Sequence, residues 1–169
     1  CDVKDSERLR TDPAGTGCVS RTLCDCNKSG LGIKADITKG RKDMAGVFEI
    51  HIKTHFAAAH TLAGYPGDCA RLHGHNWNVE LFVRCKGLDN IGIGIDFRVV
   101  KEKTARILEG LDHRNLNDLS MFRGVNPTSE NVARYLFGAL ARELNNDRVW
   151  ISKVKVSETE DAGAFYWEE

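Results

Sequence analysis

Apolar and polar residues alternate without a break along one stretch near the middle of the chain. Phe48, Ile50, Ile52, Thr54, Phe56, Ala58 and His60 share one parity, and Glu49, His51, Lys53 and His55 share the other. A period of two is the signature of a strand with one buried face, so a β-strand is predicted from Val47 to His60. Thr61 to Arg71 contains Gly64-Tyr65-Pro66-Gly67-Asp68 and reads as a loop. Alternation then resumes, with His73, His75, Trp77, Val79, Leu81 and Val83 on one face and Asn76, Asn78 and Glu80 on the other. The two strands are expected to form an antiparallel hairpin. After the glycine-punctuated run Ile91–Asp96, residues Phe97, Val100, Thr104, Ile107, Leu108 and Leu111 recur at helical spacing, with Asp96 as the predicted N-cap and Asp112-His113 as the close of the helix. A second helix follows Thr128, with Glu130 in its first turn and Val132, Tyr135, Leu136, Ala139, Leu140 and Leu144 on its buried face, and it stops near Asn145-Asn146. Strands are predicted over Val149–Val156 and Ala164–Trp167. The order is β-β-α-α-β-β, an α+β layer with two helices on one face of an antiparallel sheet.

Residues 1–43 follow neither period, contain no aromatic residue and are rich in Gly, Asp, Lys, Ser and Thr. They read as a flexible leader, with the functional fold over 44–169 and Met44 as its expected start. The whole chain has 169 residues, room for one domain with a real core. Its 24 Lys and Arg balance its 24 Asp and Glu. Zero formal charge disfavours nucleic acid as a partner and favours self-association. No apolar run approaches the roughly 20 residues of a membrane span, so a cytoplasmic protein is expected. Four of the six cysteines, Cys1, Cys18, Cys24 and Cys26, lie in the leader without the paired knuckles of a zinc ribbon. Cys85, within the second strand, reads as a packing residue.

The chemistry concentrates in His60…Cys69-Ala-Arg-Leu-His73-Gly-His75. His73 and His75 are two apart, so a strand points both to one face. His60 lies in phase on the preceding strand, and a hairpin brings it opposite the pair. Three neutral imidazoles on one face make a zinc site with its fourth position open, the arrangement of a catalytic rather than a structural zinc. His51 and His55 have the opposite parity and stand apart. Cys69 precedes His73 in the same loop. It is either a fourth ligand that closes the site or a thiolate base or nucleophile beside an open metal. Asp112-His113 is either a carboxylate–imidazole pair suited to proton relay or a helix end where the imidazole meets the dipole. Glu158 continues the parity of Trp150, Val154 and Val156. It is either a surface residue at a sheet end or a buried anchor for a guanidine-like pair of N–H groups.

Phe56-x-Ala58-Ala59-His60, Cys69-x3-His73-Gly-His75, Asp96-Phe97, Leu111-Asp112-His113-x-x-Leu116-Asn117, Pro127-Thr128-x-Glu130-Asn131 and Glu158-Thr159 occur in that order. In this the chain resembles the 6-pyruvoyl-tetrahydropterin synthase family over about residues 46–168. The three residues between Cys69 and His73 are similar to the spacing in the bacterial 6-carboxy-5,6,7,8-tetrahydropterin synthase branch, which serves queuosine synthesis. The resemblance implies a T-fold whose sheets close into a barrel in a trimer or hexamer, with the site at a subunit interface. It implies a zinc-dependent lyase converting 7,8-dihydroneopterin triphosphate to 6-carboxy-5,6,7,8-tetrahydropterin, acetaldehyde and triphosphate. Carried over by position, His60, His73 and His75 bind Zn2+, and Cys69 accepts a proton. Asp112 and His113 relay one, and Glu158 is coupled to them or grips the pterin edge. Arg71, Arg98, Lys101 and Arg123 are candidates for the triphosphate. The competing readings are a pyruvoyl-forming enzyme on the same scaffold, a non-enzymatic zinc- or pterin-binding module, and a zinc hydrolase.

Overall fold

The computed structural model describes residues 46–169; the expected leader and Met44 lie outside the described residues. Strands β1 (Val47–His60) and β2 (His73–Lys86) form a hairpin in continuous register, from Val47 opposite Lys86 to His60 opposite His73. The alternation seen in the sequence sets the burial. Trp77, Val79, Leu81 and Val83 are fully buried on one face of β2, and Ile52, Phe56, Ala58 and His60 are buried beside them on β1. The predicted packing role of Cys85 holds: its side chain is buried, and its sulfur lies where a side chain on Gly94 would otherwise fit.

Helix α1 (Phe97–Leu108) begins where expected, with the Asp96 carboxylate accepting from the Arg98 backbone N–H at 2.8 Å. It ends earlier than expected. Asp112-His113 does not close it but lies beyond it in a turn, and Leu111 is buried without being helical. Phe97, placed on the buried face by its spacing, is exposed. A two-residue strand β3 (Arg114–Asn115) comes next and pairs parallel with Ala58 and Ala59 of β1. It is absent from the predicted order, because two residues carry no periodicity. Helix α2 (Ser129–Leu144) is capped by the Thr128 side chain and buries Val132, Leu136, Leu140 and Leu144. Its start at Thr128 and stop at Asn145 agree with the sequence reading.

Strands β4 (Val149–Ser157) and β5 (Gly163–Tyr166) complete an order of β3-β1-β2-β4-β5, in which β3 alone is parallel to its neighbour. Both helices pack on one face, α2 chiefly against β4 and β5. This is the expected α+β layer. One parity assignment fails. The β2–β4 register shifts at Phe82/Val83, so Val149 and Ile151 are buried before the shift and Val154 and Val156 after it, while Trp150 is only half-buried. A bulge adds one residue and reverses the phase of the strand beyond it. Among the described residues no helix is long and apolar enough to cross a membrane.

The close approach of β5 to the end of β4 gives a stability prediction. A Cβ at Gly163 would clash with Ser157 Oγ and lie 2.7 Å from the Val156 carbonyl oxygen. Gly163→Ala is expected to cost about 1–3 kcal/mol, the usual penalty for overpacking. Chemical denaturation of the two proteins checks this, and equal midpoints would refute the contact.

Candidate metal centre and its surroundings

The hairpin register brings together the three histidines expected from the sequence. His60 and His73 are opposite each other at the loop end of the hairpin, and His75 is opposite Ala58. One ring nitrogen from each of His60, His73 and His75 lies within 4.8 Å of the others. The ring centroids are 4.5 Å apart for His60–His73, 5.2 Å for His60–His75 and 4.9 Å for His73–His75.

Backbone carbonyls fix which nitrogen points inward. His60 Nδ1 donates to the Pro127 carbonyl at 2.8 Å, and His73 Nδ1 donates to the Arg71 carbonyl at 2.8 Å. A proton held on Nδ1 leaves Nε2 with its lone pair free, the form that binds metals, and such outer partners orient ligating imidazoles. The Nε2 atoms of His60 and His75 are buried and have no hydrogen-bond partner among the described residues. Buried polar atoms are rarely left so. Two unpartnered ring nitrogens in one cluster with a third imidazole fit a divalent cation of zinc's preference.

Burial is the largest influence on His60 and lowers its pKa from the ordinary 6.5. The Pro127 carbonyl and the Glu158 carboxylate act upward, and His73 and His75 act downward. The folded state therefore favours neutral His60. Its contribution to the stability of the metal-free protein is complete above pH 6.5 and is lost as pH falls through the lower folded value. The denaturation midpoint of the metal-free protein is expected to fall from neutral pH to about pH 5 more steeply than that of His60→Gln. Equal slopes would remove His60 as the cause.

Glu158, just past β4, stands beside the cluster. Its Oε1 is 4.0 Å from His60 Nε2, and its Oε2 is 3.8 Å from His75 Nε2. Ser129, the first residue of α2, donates its hydroxyl to Oε1 at 3.3 Å. The carboxylate is part-buried and keeps one oxygen free of hydrogen bonds. The polar partners of Glu158 are thus the imidazoles and Ser129, and those of Asp112 are a different set.

Cys69 is half-buried in a single 3-10 turn, Asp68–Ala70. Its sulfur is not among the grouped ligand atoms, so the described residues do not form a closed site of one cysteine and three histidines. Asp112 Oδ1 accepts from the Ala57 N–H at 2.8 Å, and Oδ2 is 2.9 Å from His113 Nδ1. The Ala57 N–H, followed by the His113 contacts, holds the Asp112 carboxyl below its usual range. His113 sits at φ 55°, donates its own N–H to the Ala57 carbonyl at 2.6 Å, and leaves its ring 82% exposed. A non-glycine residue in the left-handed region costs on the order of 1–3 kcal/mol and persists only where its surroundings enforce it. A shallow depression lined by Ala57, Ala59, His75, Asn76, His113 and Arg114 joins this pair to one side of the imidazole cluster. Of the cations considered for phosphates, Arg71 is engaged by Asp68 at 2.6 Å and Arg98 by Asp96 at 2.8 Å.

The Pro127 carbonyl and Ser129 escape a reading of the sequence. Both lie in or beside the Pro127-Thr128-x-Glu130-Asn131 motif, whose local pattern signals only the start of a helix.

Comparison with known proteins identifies the family and the fold. The family model for 6-pyruvoyl tetrahydropterin synthase matches residues 49–169. An Archaeoglobus fulgidus protein provisionally named 6-carboxy-5,6,7,8-tetrahydropterin synthase is 36% identical over 115 residues, covering 68% of this chain and 91% of its own. A Synechocystis protein named 6-carboxy-5,6,7,8-tetrahydropterin synthase is 36% identical over 90 residues, covering 50% of this chain and 68% of its own. The structure of Caenorhabditis elegans 6-pyruvoyl tetrahydropterin synthase superposes with a TM-score of 0.66 at 28% identity, covering 73% of this chain and 97% of the other. The five-stranded sheet with two helices is the T-fold of such structures. A match that opens within β1 and runs to the last residue takes in every element that builds the imidazole cluster, and it places the chain in the 6-pyruvoyl tetrahydropterin synthase family.

Proposed function

We propose that the chain is a zinc-dependent lyase that converts 7,8-dihydroneopterin triphosphate, with water, to 6-carboxy-5,6,7,8-tetrahydropterin, acetaldehyde and triphosphate, a step of queuosine synthesis. The observation that carries this reading is the convergence of His60, His73 and His75 with two buried, unpartnered Nε2 atoms. Relatives that bear the 6-carboxy name, and the three residues between Cys69 and His73, support the choice of product. Zinc held by the three imidazoles would supply Lewis-acid polarisation of the substrate's side-chain oxygens.

The remaining roles fall to the chain's own groups. Cys69 takes a proton from the substrate's side chain, a task for a thiolate set beside the site rather than in it. Glu158 accepts two N–H bonds from the amino-pyrimidine edge of the pterin, since paired donors on one carboxylate give strength and direction. Asp112 stays ionised and keeps the His113 imidazole oriented for proton transfer. The outward ring of His113 suits a site completed between copies of the chain. The outer edge of β1 supports that assembly: β3 covers only Ala58 and Ala59, so among the described residues no strand lies beyond Val47–Ala57. A trimer or hexamer in the cytoplasm is the proposed form.

Incubation of the purified, zinc-loaded protein with 7,8-dihydroneopterin triphosphate tests the reading. Acetaldehyde is expected in equal amount to the carboxylated pterin. A pyruvoyl product without acetaldehyde would move the chain to the activity named for the C. elegans structure. Release of neither product would leave a binding module.

A further inference from the structure

β1 ends at His60, and among the described residues no strand lies beside Thr61 and Leu62, which precede a turn at Ala63-Gly64. In an extended chain, alternate residues turn both their N–H and their C=O to the same side. Ala57, Ala59 and Thr61 share one edge, and Ala63 opens the turn that follows, closed by the Tyr65 N–H donating to the Leu62 carbonyl. Ala57 is bonded there by the Asp112 carboxylate and the His113 N–H, and Ala59 is in register with Asn115 of β3. Thr61 is bonded twice by one side chain: its N–H donates to Asn117 Oδ1 at 2.8 Å, and its carbonyl accepts from Asn117 Nδ2 at 3.0 Å. Ala63 is held in the same way by Asn126, at 2.8 Å to Oδ1 and 2.9 Å from Nδ2. A carboxamide offers one acceptor and a donor side by side, as a peptide group does. Asn117 thus stands where a neighbouring strand would, and Asn126 holds the residue that opens the turn.

Leu62, between the two held residues, faces the other way. Its N–H donates to the carbonyl oxygen of Cys69 at 2.8 Å. Asn126 is itself tied down, since its carbonyl accepts from Asn131 Nδ2 at 2.8 Å and from the Thr128 N–H at 2.9 Å. The next residue, Pro127, carries the carbonyl that orients His60. The start of α2 therefore sets both the ring of one imidazole and the backbone leading to the thiol.

We infer that Asn117 and Asn126 are positioning residues that clamp the backbone leaving β1 by peptide-like side-chain bonds and, through Leu62, fix Cys69 relative to the imidazole cluster. Cys69 as the base rests on the function proposed above; the asparagine clamp does not. Asn117→Asp and Asn126→Asp separate the two, because a carboxylate still accepts from the N–H but cannot donate to the carbonyl. The measurements use the full-length zinc-loaded protein. They are the alkylation rate of Cys69 by iodoacetamide, read by peptide mass, amide hydrogen exchange over residues 61–70, zinc content, and kcat with KM.

In either variant Cys69 alkylation and Leu62 exchange are expected to quicken by about 10-fold. The value of kcat should fall about 10- to 100-fold, the cost of a small misplacement of a catalytic group. Zinc content and KM should stay within about twofold of the parent. Unchanged Cys69 alkylation and Leu62 exchange in folded variants would overturn the inference. So would zinc content falling in step with kcat, which would indicate collapse of the whole site. If the variants do not fold, the parent decides: a Leu62 amide that exchanges as fast as one in an open loop also overturns it. A parent without pterin turnover whose Cys69 is still shielded by the asparagines upholds the clamp and discards the proposed function.

Discussion

Cys69→Ala is expected to retain the fold and bind zinc like the parent, while turnover of the pterin triphosphate falls by about 10²- to 10⁴-fold, the span attributed to a positioned proton acceptor. The separation stems from where the atoms lie. Cys69 serves the structure through its carbonyl oxygen, which receives the Leu62 N–H at 2.8 Å, and alanine keeps that group. The sulfur lies apart from the three imidazole nitrogens, so zinc held by them would not depend on it, and under the proposed function only the proton transfer would. Metal analysis beside steady-state kinetics separates the competing readings. Loss of zinc would show that the sulfur closes a structural site. Unchanged turnover would favour a hydrolytic centre that works by metal-bound hydroxide and needs no thiolate. A drop in kcat with KM unaltered marks a group that acts only in the transition state.

The imidazole trio is legible in the sequence because two rules suffice to build it. Period-two alternation gives the face of each histidine, and a hairpin gives the register that sets His60 opposite His73. Helix ends are legible where a side chain caps the backbone, at Asp96 and Thr128. The failures have a common cause, since they arise where a contact distant in sequence overrides a local pattern. Trp150 loses its predicted face to a bulge that only the pairing of β4 with β2 reveals. Helical spacing puts Asp112 at a helix end, but its carboxylate is spent on the Ala57 N–H, 55 residues away. Glu158 is recognisable from family motifs alone. Its place beside His60 and His75 depends on how β4 ends and on the Ser129 hydroxyl. The asparagine clamp leaves no periodic trace, because Asn117 and Asn126 act on the backbone leaving β1 while sitting in loops.

His75→Ala should abolish both zinc binding and turnover without weakening the metal-free protein. Of the three histidines, His75 is the one whose removal disturbs least. His60 is fully buried, bonded to the Pro127 carbonyl and packed 4.8 Å from the Trp77 ring, so its loss would damage the core. His75 is only half-buried, and its Nε2 is an unpartnered buried nitrogen. Deleting an unsatisfied polar atom removes a desolvation cost, and this offsets the lost packing. The metal-free variant is therefore expected to unfold at about the parent's temperature. With zinc the two diverge. A ligand that binds only the folded state stabilises it by about 4.1 kcal/mol at 1,000 times its dissociation constant. The parent should show that rise in melting temperature on adding zinc and lose it on chelation. The variant should show none, because only two imidazoles remain and a set of two histidines and a carboxylate would need Glu158 to give up the Ser129 hydroxyl and move in. Its zinc affinity should drop by more than the roughly 100-fold that accompanies loss of an outer-shell partner. Thermal unfolding of both proteins with zinc and with chelator reads this directly. An equal zinc-dependent shift in the variant would mean that the ion sits elsewhere, and the lyase assignment would lose the centre on which it is built.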